Sequence, residues 1–392
     1  MKIFTEAVCK SLTKKGEELC GDNVEIVRPH DSVIVVMADG LGSGVKANIL
    51  STLTTRIAST MIKNRASIEE VVKTLIQTLP VCRVRKLAYS TFTILKVENN
   101  GNAQLFEFDN PDVIFIRDGR IKDIPKQTIK IEERLIRVAR LKLRPGDKLY
   151  MLSDGVVHAG VGGVLNLGWQ WENVASYLEK WEKKDRHVSE IVNQLVKVCN
   201  YMYNNKPGDD TTVVGIQIKE PEYLTLFTGP PEDKNKDKEV VKRLMESKGK
   251  RVVCGGTAAN IVAREMGKEI KTNFDLIDPQ VPPTGEIEGI DLVTEGVLTL
   301  SKCVEILRKF QSSDIASINF FSTIRDKGDG ASRLLDLLLN HSTHLHFLVG
   351  RAVNPAHQNP NFPRDLTIKL KVVKELINLL KQTGKKVDVE FY

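Results

Sequence analysis

Short apolar segments, each closed by turn residues, dominate the first 219 residues of the chain. The segments with the length and composition of β-strands are Val33–Ala38, Ser90–Val97, Ala103–Phe108, Asp112–Arg117, Leu149–Ser153 and Val213–Ile218. Turn residues at Asn99–Asn102 and Arg117–Arg120 join neighbouring segments through links that are too short for a crossover helix. This pattern predicts antiparallel sheets in a layered protein.

Three helices are predicted between these strands. Apolar residues at every fourth position predict an amphipathic helix after Gly44, with this stripe packed on a sheet. The stripe consists of Val45, Ile49, Leu53, Ile57 and Met61. Ser67 and Glu70 form a capping-box pattern that opens a second helix at Ile68–Leu79, and a third is predicted over Val188–Tyr203. The predicted fold class is therefore α/β.

Two domains are expected because 392 residues exceed the size at which a single core stops growing. Proline and charge interrupt the apolar pattern at Lys219–Glu222, which predicts a first domain of residues 1–219 and a second of residues 222–392. Strand-then-helix units recur beyond this boundary. They are Arg251–Cys254 before Thr257–Glu265, Ile290–Val293 before Leu298–Phe310, and His344–Val349 before Ile368–Leu380. The second domain is predicted to be α/β with some parallel pairing.

Composition excludes several classes of protein. The chain is 41% hydrophobic and 27% charged, as in globular proteins, and no run approaches the roughly 20 apolar residues of a membrane span. The start lacks the layout of a signal peptide, so we expect a cytoplasmic location. The six cysteines lack the close spacing of zinc or redox motifs. The net charge of +7 is spread over the chain, which does not favour nucleic-acid binding.

Aspartates stand where strands meet loops at four places in the first domain. They are Asp22 in CGDN, Asp39 in MADGLGSG, Asp154 in LSDGV and Asp209 in PGDDTTVV. A strand end is rigid, so it holds a carboxylate within the tight limits that a metal site needs. Converging carboxylates repel one another unless cations lie between them. Oxygen ligands of this kind favour magnesium or manganese.

These four motifs together resemble the metal-dependent protein serine/threonine phosphatases of type 2C, the PPM family, and in particular its bacterial SpoIIE-like branch. The resemblance covers residues 1–219. It implies an α-β-β-α sandwich with a C-terminal α/β domain beyond it. It also implies a hydrolase that removes phosphate from serine or threonine in a bacterial signalling protein, such as a phosphorylated anti-sigma-factor antagonist.

The resemblance further implies two Mn²⁺ or Mg²⁺ ions and a ligand for each. Asp39 would bridge both ions and Gly40 would offer its carbonyl. Asp154 and Asp209 would hold one ion, while Asp22 would serve the other through water. Asp39, Asp154 and Asp209 would thus act in catalysis through a water activated by the metals. Asp210 is a weaker candidate ligand.

The residue that orients the phosphate is not apparent from the resemblance. Animal members of the family carry an N-terminal arginine that binds phosphate, but Phe4–Leu12 contains only Lys10 as a candidate. Arg83 and Arg85 are alternative contacts, although a solvated basic loop explains them equally well.

Other interpretations stay open. Ala38–Gly44 also looks like a glycine-rich nucleotide loop after a strand, and the domain could be a catalytically inactive binding module. In the second domain, the small-residue turn Gly255–Asn260 and the loop Arg351–Pro363 are candidates for a small-molecule ligand site, which would make this domain regulatory.

Overall fold

A computed structural model describes residues 2–78, 90–132, 134–182, 186–272, 283–312, 320–352 and 368–392. The chain divides into two compact units, Met1–Glu220 and Pro221–Tyr392. Both units combine helices with sheets, which confirms the predicted α/β class. Among the described helices, none combines the length and the apolar composition needed to cross a bilayer.

The first unit contains two antiparallel sheets. Its strands are, in chain order, β1 (Phe4–Leu12), β2 (Asp22–Val27), β3 (Ser32–Gly40), β4 (Ser90–Glu98), β5 (Asn102–Phe108), β6 (Ile114–Arg117), β7 (Arg120–Lys122), β8 (Gln127–Ile131), β9 (Arg134–Lys142), β10 (Lys148–Leu152) and β11 (Thr211–Lys219). One sheet has the order β2-β3-β4-β5-β9-β8 and the other β1-β11-β10-β6-β7. Every pair in them is antiparallel, as the short links predict.

Helices cover the outer faces of both sheets. They are α1 (Gly44–Lys63), α2 (Ile68–Thr78), α3 (Asp154–Val157), α4 (Trp171–Glu182) and α5 (Val188–Met202). One core lies between the sheets, with Val35 and Met37 of β3 packed against Met151 of β10 and Val214 of β11. A second core joins α1 and α2 to the six-stranded sheet, and a third joins α3, α4 and α5 to the other. These layers confirm the expected α-β-β-α sandwich.

The capping box at the start of α2 is formed as predicted. The backbone N–H of Ser67 donates to Oε2 of Glu70 at 2.7 Å, and the backbone N–H of Glu70 donates to Oγ of Ser67 at 3.2 Å. Each satisfies a donor that the helix itself leaves free.

Helix α1 forms where it was predicted. Ile57 and Met61 of the predicted apolar stripe pack against the core on the sheet, but the prediction is wrong for the first three residues of the stripe. Val45, Ile49 and Leu53 of the apolar stripe are 53%, 53% and 43% exposed. The face on the sheet is instead built of small and hydroxyl side chains around a few apolar ones. It comprises Ala47, Leu50, Ser51, Thr54, Thr55, Ala58, Ser59 and Ile62.

Local hydrogen bonds make this burial possible. The hydroxyl of Ser51 donates to the carbonyl of Asn48 at 3.1 Å, and that of Thr54 donates to the carbonyl of Leu50 at 2.8 Å. The buried hydroxyls are therefore satisfied inside the helix. Small side chains also let α1 lie close to β3, because a Cβ on Gly40 would lie 2.0 Å from the carbonyl oxygen of Ala47.

The second unit is a doubly wound sheet. Its strands are β12 (Tyr223–Thr228), β13 (Lys250–Cys254), β14 (Lys271–Thr272), β15 (Gly285–Glu286), β16 (Leu292–Thr294), β17 (His344–Val349) and β18 (Lys386–Phe391), in the order β14-β15-β16-β13-β12-β17-β18. The five strands from β16 to β18 are parallel to one another. The predicted parallel pairing is thus confirmed.

Helices lie on both faces of this sheet. They are α6 (Asp237–Met245), α7 (Gly256–Met266), α8 (Val297–Ser312), α9 (Phe320–Lys327), α10 (Gly330–Leu339) and α11 (Ile368–Gln382). Helices α6 and α7 share one apolar core with the sheet, and α8 to α11 share the other.

Candidate metal centre

The aspartates predicted to form a metal site lie at strand ends of both sheets of the first unit. Asp22 opens β2 and is paired with Asp39 on β3. Asp154 opens α3 directly after β10, while Asp209 and Asp210 directly precede β11. Since β10 and β11 are neighbours in one sheet, Asp154 and Asp209 come to the same edge.

Backbone contacts fix the edge that carries Asp154. The backbone N–H of Ser153 donates to the carbonyl of Thr212 at 3.0 Å, and the backbone N–H of Thr212 donates to Oγ of Ser153 at 2.8 Å. A Cβ on Gly155 would lie 2.1 Å from the carbonyl oxygen of Asp210. The glycine after Asp154 therefore allows α3 to lie directly against the strand that follows Asp210.

The turn that carries Asp22 is fixed from two sides. Nδ2 of Asn48, on α1, donates to the carbonyl of Cys20 at 2.8 Å, and the backbone N–H of Gly40 donates to the carbonyl of Gly21 at 3.2 Å. A Cβ on Gly21 would lie 2.8 Å from Oδ2 of Asp210. The loop between β1 and β2 thus lies against the aspartates that precede β11.

The five carboxylates form one electrostatic cluster. Burial, together with the charges of Asp22, Asp154, Asp209 and Asp210, raises the pKa of Asp39 to about 9. Burial is also the main cause that raises the pKa of Asp22 to about 7, with smaller contributions from Asp210 and Asp154. The pKa of Asp209 is raised by burial and by the charge of Asp154. Carboxylates crowded in this way are stable as anions only when positive charge is supplied.

Several oxygen atoms of the cluster lack a donor of good geometry. Both Oδ atoms of Asp22 and Oδ2 of Asp210 are buried without a hydrogen bond among the described residues. The hydroxyls of Thr212 and Ser153 lie close enough to Asp22 to lower its pKa somewhat, but Thr212 donates to Ser11 instead. Buried carboxylate oxygens without donors are costly unless a cation coordinates them.

These oxygen ligands fit a hard divalent ion that keeps several of its waters, rather than an ion enclosed by protein ligands alone. Within the described residues, no three His, Cys, Asp or Glu side chains are grouped closely enough to hold one ion by themselves. Magnesium is commonly held by one or two carboxylates and completed by water. The cluster of Asp22, Asp39, Asp154, Asp209 and Asp210 offers that kind of partial coordination.

Two residues of this site were missed or undervalued from the sequence. Asp210 is buried, and its Oδ1 accepts from the backbone N–H of Lys14 at 2.9 Å. The Nζ of Lys14 lies 3.9 Å from Oδ1 of Asp209, and its charge lowers the pKa of Asp209. The signal for Lys14 was its place in the turn after β1, but β1 was not predicted as a strand that pairs with β11.

The remaining candidates from the sequence have different outcomes. Arg83 and Arg85 lie outside the described residues. The interpretation of Ala38–Gly44 as a dinucleotide loop is wrong, because β3 is paired antiparallel with both β2 and β4, whereas that motif requires a parallel βαβ unit.

A family model and several solved structures match the first unit. Residues 29–219 match the model of SpoIIE, Stage II sporulation protein E, a range that contains Asp39, Asp154, Asp209 and Asp210 but not Asp22. A search of curated proteins gives no match.

The solved structures match at low sequence identity. The phosphatase domain of SpoIIE from Bacillus subtilis, with a fragment of its regulatory domain, is 18% identical with a TM-score of 0.47. The match covers 56% of this chain and 63% of that chain. The RsbU and RsbW domains of a Mycobacterium tuberculosis protein are 14% identical, with 62% and 70% coverage and a TM-score of 0.47. RsbX in complex with magnesium is 17% identical, with 55% and 96% coverage and a TM-score of 0.40.

Proposed function

Residues 29–219 belong to the SpoIIE family, and from this premise we propose that the chain is a metal-dependent protein serine/threonine phosphatase. One observation carries the proposal. Aspartates from two different sheets are held in a single cluster where their mutual repulsion and burial raise the pKa values of Asp22 and Asp39. Such an arrangement costs stability, so a requirement for cations explains it best.

The proposed ligands are those that the resemblance implies. Asp39 and the carbonyl of Gly40 would hold Mn²⁺ or Mg²⁺ at the end of β3, with Asp154 and Asp209 on the opposite sheet and Asp22 acting through water. Two divalent ions in such a site supply an activated water and neutralise charge on the phosphate. Asp210 accepts from the backbone N–H of Lys14 through its Oδ1, and we assign to this oxygen the role of holding the loop between β1 and β2.

Lys14 is our candidate for the residue that orients the phosphate. Its side chain is 36% exposed, and its Nζ lies at the rim of the carboxylate cluster, 3.9 Å from Oδ1 of Asp209. An ammonium group there can donate to a phosphate oxygen while the carboxylates hold the cations. Lys14 would fill the role that an N-terminal arginine has in animal members of the family.

The substrate we propose is a phosphorylated protein, such as an anti-sigma-factor antagonist or a similar small regulatory domain. Two groups of exposed apolar side chains follow the proposed metal ligands closely in the chain. Val45, Ile49 and Leu53 lie on α1 after Gly40, and Val161, Val164 and Leu167 lie in the segment after α3. Groups of exposed apolar side chains are typical of a surface that binds protein.

For the second unit we propose a regulatory or ligand-binding role. It follows a complete set of proposed metal ligands, and its motifs suggest no separate chemistry. Of the predicted turn Gly255–Asn260, only Gly255 lies between β13 and α7, and the other residues form the start of α7, at the carboxyl edge of the parallel sheet. Of the loop Arg351–Pro363, only Arg351 and Ala352 belong to the described residues.

Hydrolysis of a phosphoserine peptide, measured in Mn²⁺ with the wild-type chain and two variants, tests the proposal. Asp154→Asn and Asp209→Asn should each lower kcat by at least about a hundredfold, because each removes a charge that holds a cation. Asp118→Asn is the matched control. Asp118 is exposed in the turn between β6 and β7 and has a φ of 55°, which asparagine also adopts. Wild-type rates in folded Asp154→Asn and Asp209→Asn would refute the assignment.

A further inference from the structure

Two of the proposed metal ligands, Asp39 and Gly40, are the last residues of β3, and β4 borders them on one side. The register pairs Asp39 with Thr91 and Gly40 with Ser90, and the second of these is the last pair of the ladder. The chain then leaves the sheet for the turn before α1. The contacts made at this ladder end therefore decide how the Asp39 carboxylate and the Gly40 carbonyl are oriented.

The hydroxyl of Ser90 supplies one of these contacts. Ser90 is the first residue of β4 and is buried, and its Oγ donates to the carbonyl oxygen of Asp39 at 2.8 Å. The same Oγ lies 3.0 Å from the carbonyl oxygen of Thr91, so the two carbonyls share its single proton. Ser90 thus adds a side-chain hydrogen bond between β4 and β3 at the point where the backbone ladder ends.

The peptide between Asp39 and Gly40 is also held at its other edge. The backbone N–H of Gly40 donates to the carbonyl of Gly21 at 3.2 Å. The C=O and the N–H of a trans peptide point to opposite sides, so Ser90 and Gly21 hold the same planar unit from both sides. Helix α1 closes one face, because a Cβ on Gly40 would lie 2.0 Å from the carbonyl oxygen of Ala47. The orientation of this peptide is therefore set by three neighbours.

The hydroxyl of Thr91, which lies directly opposite Asp39 in the register, has a different partner. Its Oγ1 donates to Oδ1 of Asn110, and Nδ2 of Asn110 donates to Oγ1 of Thr93 at 3.1 Å. The side chains of Ser90 and Thr91 thus make separate contacts. Loss of the Ser90 hydroxyl would not be compensated by Thr91 unless the bond to Asn110 were broken.

We propose that Ser90 is a positioning residue of the metal centre, whose hydroxyl holds the Asp39–Gly40 peptide in the orientation in which both residues bind the cations. This inference rests on the proposed function. Residues that orient metal ligands through hydrogen bonds commonly change metal affinity by tenfold or more when they are replaced. Ser90 acts on the backbone of its ligands and shares its proton between two carbonyls, so we expect a loss of about fivefold.

Titration of the full chain with Mn²⁺, with the free ion measured by electron paramagnetic resonance, tests this role. Ser90→Ala should raise the Kd for Mn²⁺ by about fivefold or more, whereas Ser90→Thr keeps a hydroxyl and should stay within about twofold of the wild type. Ser32→Ala is the matched control and should leave the Kd unchanged. It removes a buried hydroxyl at the opposite end of β3, where Oγ of Ser32 donates to Oδ1 of Asp31 at 3.1 Å.

The possible results separate this inference from the proposed function. Saturable binding by the wild type with an equal Kd in Ser90→Ala would overturn the role of Ser90 and leave the metal centre intact. A Kd in Ser90→Thr as high as that in Ser90→Ala would show that packing matters rather than the hydroxyl, and would also overturn it. Absence of saturable binding by the wild type would overturn the metal centre and this inference together.

Turnover measured against Mn²⁺ concentration distinguishes positioning from a purely structural role. Ser90→Ala should need about fivefold more Mn²⁺ than the wild type for half-maximal hydrolysis of a phosphoserine peptide. A purely structural hydroxyl would lower the midpoint of urea denaturation in chelator and leave this Mn²⁺ requirement unchanged, which would contradict the proposal. Ser90→Cys keeps a side chain of similar size with only a weak donor, and it provides the same comparison if Ser90→Ala does not fold.

Discussion

Replacing Asp39 by asparagine should stabilise the metal-free chain, although it removes the proposed activity. The ordinary pKa of an aspartate is 3.8, and burial with neighbouring carboxylates raises that of Asp39 to about 9. At pH 7 this residue must therefore take up a proton when the metal-free chain folds. Each pH unit above the ordinary pKa lowers the free energy of unfolding by about 1.4 kcal/mol, so the uptake of this proton lowers it by about 4 kcal/mol at pH 7.

Asparagine is neutral in both states and avoids this cost. We expect Asp39→Asn to gain between about 1 and 4 kcal/mol in free energy of unfolding, measured by urea denaturation at pH 7 in excess chelator. Asp118→Asn, an exposed control, should change it by less than about 0.5 kcal/mol. In saturating Mn²⁺ the order of stability should invert, because only the wild type keeps the carboxylate that we propose bridges the ions. A loss of more than about 1 kcal/mol by Asp39→Asn in chelator would show that Asp39 is an ordinary structural residue and refute the reasoning.

Three further predictions follow from the same cluster. Asp22 and Asp39 contribute stability to the metal-free chain that is fully present below about pH 4 and is lost as pH rises to about 7 for Asp22 and about 9 for Asp39. Thermal unfolding in chelator checks this, and a rise in Tm over that window would contradict it. Gly40→Ala should lower the free energy of unfolding by about 2 kcal/mol or more in urea denaturation, because the added Cβ would collide with the carbonyl of Ala47. A denaturation midpoint equal to that of the wild type would show that α1 can shift freely. Alkylation of cysteines should leave turnover intact. Cys20 is the thiol beside the cluster, and burial raises its pKa to about 12. Inactivation with the metals retained would indicate a thiolate nucleophile.

Local signals in the sequence were sufficient to predict most strands of the first unit. The segments around β3, β4, β5 and β11 contain runs of β-branched and apolar residues closed by turns, and each forms within a few residues of its predicted bounds. Strand β1 was not predicted, because Thr5 and Glu6 interrupt its apolar residues. Both are buried in the fold, where Oε2 of Glu6 lies 2.8 Å from Nζ of Lys219. Lys219 belongs to β11, which pairs with β1 across more than 200 residues, and a linear pattern does not reveal this pairing.

A linear pattern also does not reveal the packing distance that decides which face of α1 is buried. Spacing identified the helix and predicted that its large apolar residues face the sheet, which holds at the end of the helix and fails at its start. Ser51 and Thr54 instead satisfy their hydroxyls within the helix and pack closely on β3. Which face is buried depends on the distance between helix and sheet, and Gly40 sets that distance.

Local signals in the sequence predicted the residue types of the site, but they did not show that these residues lie together in the fold. Asp22, Asp39, Asp154 and Asp209 each lie at or beside the end of a strand, which turn chemistry reveals. Their convergence depends on the pairing of β2 with β3 and of β10 with β11. The pairing of β10 with β11 joins residues that are more than 50 positions apart in the chain. Lys14 lies there because β1 pairs with β11, the longest-range contact of the first unit.

We propose that these aspartates hold divalent cations that are required for phosphate hydrolysis. The most direct test is the initial rate of phosphoserine-peptide hydrolysis as Mn²⁺ is added back to chelator-treated wild-type chain, with bound manganese measured on the same samples. We predict a rate near zero without metal and a saturable rise that follows metal occupancy, both absent in Asp39→Asn. A rate in excess chelator equal to that in Mn²⁺, or manganese binding that is unchanged in Asp39→Asn, would contradict the account.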